Sequence, residues 1–206
     1  MRQPVRPPRA PPAAAFARAP RQVRIIGGTW RRTPIPVADV PGLRPSPDRV
    51  RQTLFDWLAH LRADTRALRG LDLYAGTGAL GFELASRGAD RVVLVERQPL
   101  LLQLLRALQA KLDAQQVEIV AGDALAVAAG LPRSSFDVVF LDPPFGAGLL
   151  WPAVDAVCRL LADGGLIYAE SELPITPADA AVHGLDVVRS ARAGRVCFHL
   201  LQLRNA

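Results

Sequence analysis

Lysine is almost missing: Lys111 stands alone against 24 arginines in a chain of 206 residues. Because that bias is global, the identity of a basic residue says little here, and its position says more. Cysteine is scarce as well. Cys158 and Cys197 cannot make a disulfide framework and suit a reducing compartment. His60, His183 and His199 are scattered without ligand spacing, so no metal site is expected. Half the residues are hydrophobic, yet no run reaches the roughly 18–20 apolar residues that a bilayer span requires. The Leu-rich stretch 98–112 is broken by Gln103, Arg106, Gln109 and Lys111 and reads as an amphipathic helix packed on a sheet. These absences point to one cytoplasmic domain by length, with a full core, no membrane contact, and nothing that demands a partner chain, so a monomer is expected.

What is present is unevenly spread. Residues 1–52 hold 11 arginines against Asp39 and Asp48, a net of +9; the remainder holds 14 basic and 17 acidic side chains, a net of −3, and the two give the +6 of the whole. A basic arm on a mildly acidic body suggests an electrostatic grip on phosphates. Residues 1–20 are almost entirely Pro, Ala and Arg and read as a disordered basic tail. Residues 21–47 form an arm in which short apolar pieces, broken by Gly27-Gly28 and Pro34, predict a hairpin-like element. Arg24, Arg31 and Arg32 project from it as candidate nucleic-acid contacts, with Trp30 read as either facing that ligand or packed. Residues 48–206 are expected to form the main domain. Its first helix, about Asp48–Leu61, places Val50, Leu54, Trp57, Leu58 and Leu61 at helical spacing.

The densest chemistry lies at Asp142-Pro143-Pro144-Phe145, directly after the apolar run Phe136–Leu141. Proline fixes its own φ, lacks an N–H and pushes the residue before it into extended geometry. The strand therefore ends on a carboxylate, free carbonyls and an aromatic ring with no core to fill. An aromatic amine is a poor nucleophile because its lone pair is delocalised. Asp142 and the Pro143 carbonyl, accepting its two protons, favour the pyramidal nitrogen that attack needs. Phe145 can stack on the ring and hold that lone pair in line. A strand-terminating turn uses the same residue types, so the motif needs company.

Company comes from Leu71-Asp72-Leu73-Tyr74 followed by Ala75-Gly76-Thr77-Gly78-Ala79-Leu80-Gly81. Gly76 and Gly78 permit a tight turn and close approach to a ligand, and the following helix offers unpaired N–H groups. Glu96, ending the run Arg91–Val95, can take both hydroxyls of a ribose. This loop also satisfies the dinucleotide pattern with an acid at the expected distance, so a nicotinamide or flavin enzyme is the rival. The remaining acids favour S-adenosylmethionine. Asp72 stands where a cationic amino acid moiety needs a counter-charge, and Asp123, also a natural helix N-cap, stands where an adenine amine needs an acceptor. From the residues alone the target is an amine on a flat ring. DNA adenine and cytosine therefore stay open beside RNA, as does an RNA-binding protein with a vestigial site.

Together these residues resemble the class I S-adenosylmethionine-dependent methyltransferases that act on amino groups. Arg24-Ile-Ile-Gly-Gly-Thr-Trp30, Leu43-Arg-Pro-Ser-Pro-Asp-Arg-Val-Arg-Gln-Thr-Leu-Phe-Asp-Trp-Leu58, Ile167-Tyr-Ala-Glu-Ser-Glu172 and Gly194-Arg-Val-Cys-Phe-His199 narrow the likeness. They resemble the RsmD type of small-subunit ribosomal RNA guanine-N2 methyltransferase over residues 22 to 203. Ser46-Pro47 departs from the usual paired hydroxyl residues, and Tyr74 stands where Phe is common. The resemblance implies a Rossmann-like α/β fold, a seven-stranded, mostly parallel sheet with one reversed strand. It implies a cofactor site of Asp72, Tyr74, Gly76, Thr77, Gly78, Glu96, Asp123 and Ala124, and a catalytic set of Asp142, Pro143, Pro144 and Phe145. The implied partner is 16S ribosomal RNA or the assembling small subunit, with Arg44, Arg49 and Arg51 closing over the site or holding phosphates.

Strand–helix alternation supports a parallel sheet covered on both faces. Strands are expected near 71–74, 91–95, 117–120 and 136–141, then a helix 150–162, a strand 165–170 and a closing hairpin of 185–189 with 195–203.

Overall fold

The structure, a computed structural model, describes residues 22–62 and 66–204; the expected tail, 1–20, lies outside the described residues. Two short strands open it, β1 (Gln22–Arg24) and β2 (Pro34–Pro36), paired antiparallel with Val23 opposite Ile35. These two side chains are buried while their neighbours along each strand are exposed, the period-two pattern of a half-buried ribbon.

The main body then runs α1 (Asp48–Leu61), β3 (Arg69–Asp72), α2 (Ala79–Ser86), β4 (Arg91–Glu96), α3 (Pro99–Leu112), β5 (Val117–Ala121), α4 (Ala124–Gly130), β6 (Phe136–Leu141), α5 (Leu150–Cys158), β7 (Leu161–Ser171), α6 (Pro177–Val182), β8 (Leu185–Ala193) and β9 (Val196–Leu203). Seven strands make one sheet in the order β5-β4-β3-β6-β7-β9-β8. Strands β5 through β7 are parallel, and β9 runs antiparallel to both β7 and β8, so it is the one reversed strand of that sheet.

Strands covered on both faces alternate their side chains between two cores. Val92 and Leu94 pack beneath α1, α2 and α3, whereas Val93 and Val95 pack beneath α4, α5 and α6. The Leu-rich helix α3 turns Leu101, Leu102, Leu105 and Leu108 inward. Trp57 of α1 is half-buried and stacks on Phe198 with ring centroids 5.3 Å apart.

Several boundaries differ from the sequence reading: β7 and β8 are longer than the expected 165–170 and 185–189, and two other shifts have a visible cause. Strand β3 occupies 69–72 rather than 71–74, because pairing to β4 and β6 sets its register and Asp137 holds Arg69 through the backbone N at 2.8 Å and Nε at 3.0 Å. Helix α5 stops at Cys158 rather than 162. The chain is drawn back into the sheet at Leu161, which pairs with Phe136 ahead of the Gly164-Gly165 irregularity.

All eight residues of α2 are buried, since the sheet covers one side and the β1–β2 ribbon with α1 covers the other. A polar clasp joins these layers. Glu83 accepts from the backbone N–H groups of Ile26 at 2.6 Å and Gly27 at 2.8 Å, and from Arg87 Nε at 2.9 Å. Ser86 donates to Gly27 O at 2.6 Å, while Thr29 and Trp30 donate their backbone N–H groups to Ser86 O and Oγ. Gly28 has φ +76°, and a Cβ there would lie 1.8 Å from Ser86 O, so the turn tolerates no side chain.

This clasp corrects one reading and decides another. Arg51, expected to face RNA, is fully buried. It donates to Ser46 O at 3.1 Å, Arg24 O at 2.8 Å and Asp48 Oδ1 at 2.7 Å, and pairs with the equally buried Glu83 at 3.5 Å. A buried cation is tolerable only when so many acceptors replace water, and removing one partner of such a pair costs about 3–5 kcal/mol. Trp30 does not project: it is half-buried against the core.

Candidate functional site

The polar residues of interest collect where the parallel strands end. Strand β3 delivers Asp72, and the next turn carries Gly76, Thr77 and Gly78 into α2. Gly76 and Gly78 have φ +53° and +76°, conformations that glycine adopts without strain. A Cβ on Gly78 would press within 2.6 Å of Leu105 and 2.7 Å of Phe82, and one on Gly81 within 2.1 Å of Leu94. The glycines thus bring α2 close to both β4 and α3, setting where the loop can lie.

Asp72 is buried and accepts the Gly81 N–H at 3.1 Å, which fixes it against the first turn of α2. Loss of water pushes its carboxyl up to about 7; the Gly81 bond opposes this and the Glu96 charge adds to it. Glu96 ends β4 and is already bound: Oε2 accepts from Gly76 N at 3.0 Å, and Oε1 from Arg97 N and Gln98 N at 2.8 Å each. Asp123 caps α4, its Oδ1 accepting from Leu125 N at 3.1 Å and Ala126 N at 3.2 Å, with Ala124 buried beside it. Tyr74 carries a buried hydroxyl that takes no hydrogen bond among the described residues.

A buried acid held only by backbone N–H groups, an unpaired hydroxyl, a glycine turn and two solvent-accessible carboxylates in one arc fit a ligand with a cation, ribose hydroxyls and an amine. That is the donor set expected for S-adenosylmethionine, and nothing in the cradle opposes it.

Strand β6 lies beside β3, with Asp72 opposite Phe140. Two residues beyond Phe140, Asp142 is half-buried, followed by the buried Pro143 and by Pro144 and Phe145 in the open; the Phe145 ring is 43% exposed, which is unusual for so large an apolar group. Asp142 is driven well above the usual carboxylate range by loss of water, with the charges of Glu170 and Asp72 adding to the shift. A cavity of about 440 Å³ opens alongside, lined in part by Pro143, Phe145, Trp151, Glu170, Leu173 and Asp179. It is large enough for a purine base. Leu173, 78% exposed, is a second apolar side chain lining this cavity.

The arginines divide. Arg24, Arg31, Arg32, Arg44 and Arg49 are exposed, and Arg24, Arg31 and Arg32 surround a depression of about 270 Å³ at the ribbon. Arg24 also pairs with Asp48 at 2.9 Å. Arg51 alone is withdrawn. The Leu43–Pro47 segment crosses above the glycine turn, where Leu43 Cδ1 is 3.1 Å from the position a Gly76 Cβ would take.

Four residues that matter here were missed. Ser46 and Tyr168 both donate to Glu170 Oε1, the latter at 2.8 Å, in a buried group. The signal was available in part: in a strand reading Ile167-Tyr-Ala-Glu170, period two places Tyr168 and Glu170 on one face. Glu83, the lone acid of an apolar helix, was the fourth.

Comparison with known proteins decides the family. Residues 23–202 match the family model described as conserved hypothetical protein 95. The chain is 42% identical over 189 residues to ribosomal RNA small subunit methyltransferase D of Escherichia coli, covering 88% of this chain and 90% of that one. The chain belongs to the RsmD-type methyltransferase family. A Haemophilus influenzae member of the same name is 40% identical over 156 residues, 73% of this chain and 79% of that one. The solved Escherichia coli protein yhhF superposes with a TM-score of 0.76 at 39% identity, covering 90% of this chain and 99% of that one. Family membership removes the oxidoreductase reading of the glycine loop. Among the described residues no helix is long and apolar enough to cross a membrane.

Proposed function

We propose that this chain transfers a methyl group from S-adenosylmethionine to the exocyclic N2 amine of a guanine in small-subunit ribosomal RNA. One observation carries the chemistry: a cofactor-type cradle on β3 and β4 and an Asp-Pro-Pro-Phe end on the adjacent β6 share one edge of the sheet. Open α/β sheets bind ligands at that edge. The choice of ribosomal RNA and of guanine rests on the relatives' name and family.

When bound, the cofactor supplies a methyl group on a sulfonium, so that a carbon–nitrogen bond forms as a carbon–sulfur bond breaks and a neutral thioether leaves. The chain's own residues do the rest. Asp72 balances the cationic amino acid end, Glu96 holds the ribose and Asp123 the adenine amine. Phe145 stacks the target base; Asp142 and the Pro143 carbonyl accept its two amine protons and set the nitrogen lone pair on the reaction line, a positioning effect. The exposed Arg31, Arg32, Arg44 and Arg49, with Arg24, track the RNA phosphates.

Nucleosides from a strain lacking the gene test this. N2-methylguanosine at one small-subunit position disappears, while methylated adenine and cytosine in RNA and DNA stay unchanged. Loss of a methylated adenine or cytosine instead moves the activity to another base amine.

A further inference from the structure

Glu170 has no part in the assignment above, yet it is 3% exposed and lies beside the reacting carboxylate. Leu141 pairs with Ala169 in the parallel β6–β7 ladder, so the next residues, Asp142 and Glu170, stand side by side. Their strands are about 4.8 Å apart in the hydrogen-bonding direction. Both project on the side that Phe140 and Tyr168 share, where those two rings meet edge to face at 6.2 Å. From β3, Asp72 joins the same side, one step from Leu71 and Leu73, which point the other way. Three carboxylates therefore crowd one side of the strand ends.

Glu170 is held there by deliberate contacts. Tyr168 from its own strand and Ser46 from the Leu43–Pro47 segment both donate hydroxyls to Oε1. A tether for that segment needs only an acceptor, which a glutamine provides equally well. A carboxylate at this place adds one thing, negative charge next to Asp142.

We propose that Glu170 is a positioning residue for the proton: its charge keeps Asp142 basic enough to take the proton that the methylated amine must lose. This rests on the methyl-transfer reading above. The nitrogen that has received the methyl group carries a positive charge and one surplus N–H proton. That proton passes to the ionised Asp142, leaving a neutral secondary amine and a neutral carboxylic acid. The acid returns the proton to solvent before the next turnover. The groups facing Asp142 are Glu170 and Tyr168 from β7 and Asp72 from β3, with Glu96 acting on Asp72 from β4. Ser46 faces the pair from the segment above. Burial raises both carboxyls above their ordinary range; the charges of Glu170 and Asp72 add to the shift at Asp142, while the Ser46 and Tyr168 hydroxyls oppose it at Glu170.

Glu170→Gln tests it, because the amide oxygen still accepts from Ser46 and Tyr168 and the shape is kept. Carbon-13 titration of the Asp142 carboxyl in the free protein reads the claim without any turnover. The midpoint should fall by about one pH unit or more in Glu170→Gln, the size of a like-charge effect at this range. In methyl transfer, the acid limb of kcat/KM should move down with it, while the thermal midpoint at pH 8 holds or rises. An Asp142 midpoint that does not move overturns the proposal, whatever the activity. A thermal midpoint that drops with an unmoved acid limb makes Glu170 a tether only and overturns it too. A wild-type protein that methylates no RNA, with the Asp142 midpoint still shifted by Glu170→Gln, sinks the methyl-transfer reading instead.

Discussion

The two halves of the cleft are built differently. On β3 and β4 the cradle is bonded before any ligand arrives: Asp72 on Gly81, Glu96 on Gly76, Arg97 and Gln98, and Asp123 on the first turn of α4. On β6 the Asp142–Phe145 end is loose. Pro143 and Pro144 have no N–H to bind, Gly146 and Gly148 follow at positive φ, and Phe145 stands in the open. On the proposed reading the donor half is preorganised, and the acceptor half is to gain its contacts from the substrate. Losses on one side should therefore appear in cofactor binding, and losses on the other in transfer.

The largest expected split is at Asp142. Asp142→Ala should lower single-turnover methyl transfer by about a thousandfold, the scale of a lost transition-state acceptor. Calorimetric affinity for S-adenosylmethionine should change less than about threefold, since Asp142 is a neighbour of the cradle and not a member. Equal losses in both would erase the distinction between halves. Gly78→Ala is the converse. At φ +76° with Phe82 and Leu105 in the way, it should abolish measurable cofactor binding and lower urea stability by about 1–3 kcal/mol through strain and overpacking.

Phe145→Ala comes next. Removing a base-stacking ring is worth about 1–3 kcal/mol, so kcat/KM for RNA should fall about ten- to a hundredfold with cofactor affinity unchanged. The smallest effect is a pH dependence of the cradle. Asp72 has its proton affinity raised by folding, so below about 7 it is neutral and cannot pair with the cationic ligand end. Affinity for S-adenosylmethionine should be full at pH 8 and about tenfold weaker at pH 6, with proton release on binding visible in buffers of different ionisation enthalpy. A flat affinity across that range would remove Asp72 from the cationic end.

How far the sequence could be read follows the same physics. Helix α1 was legible to its ends because its apolar residues recur every three to four positions. The reversed β9 came with the family resemblance, and its short link to β8 at Ala193-Gly194 agreed with antiparallel pairing. The carboxylates at Asp72, Glu96, Asp123 and Asp142 were legible as strand-end acids. Arg51 was not. Besides the nearby Asp48, its partners are Glu83, thirty-two residues on in α2, and carbonyls of the arm, and no local pattern announces a long-range buried pair. Trp30 stayed open for a related reason, since it is Ser86, 56 residues away, that draws its backbone onto α2. Ser46 and Glu170 are 124 residues apart, and only the folded sheet brings that segment across the cleft.

The central claim is that this edge of the sheet methylates a guanine amine in ribosomal RNA. Its most direct measurement uses purified protein, methyl-labelled S-adenosylmethionine and small-subunit ribosomal RNA, free or in particles, followed by digestion to nucleosides. The account predicts label in N2-methylguanosine alone, absent with Asp142→Ala. Label in a methylated adenosine or cytidine, or undiminished label with Asp142→Ala, would contradict it.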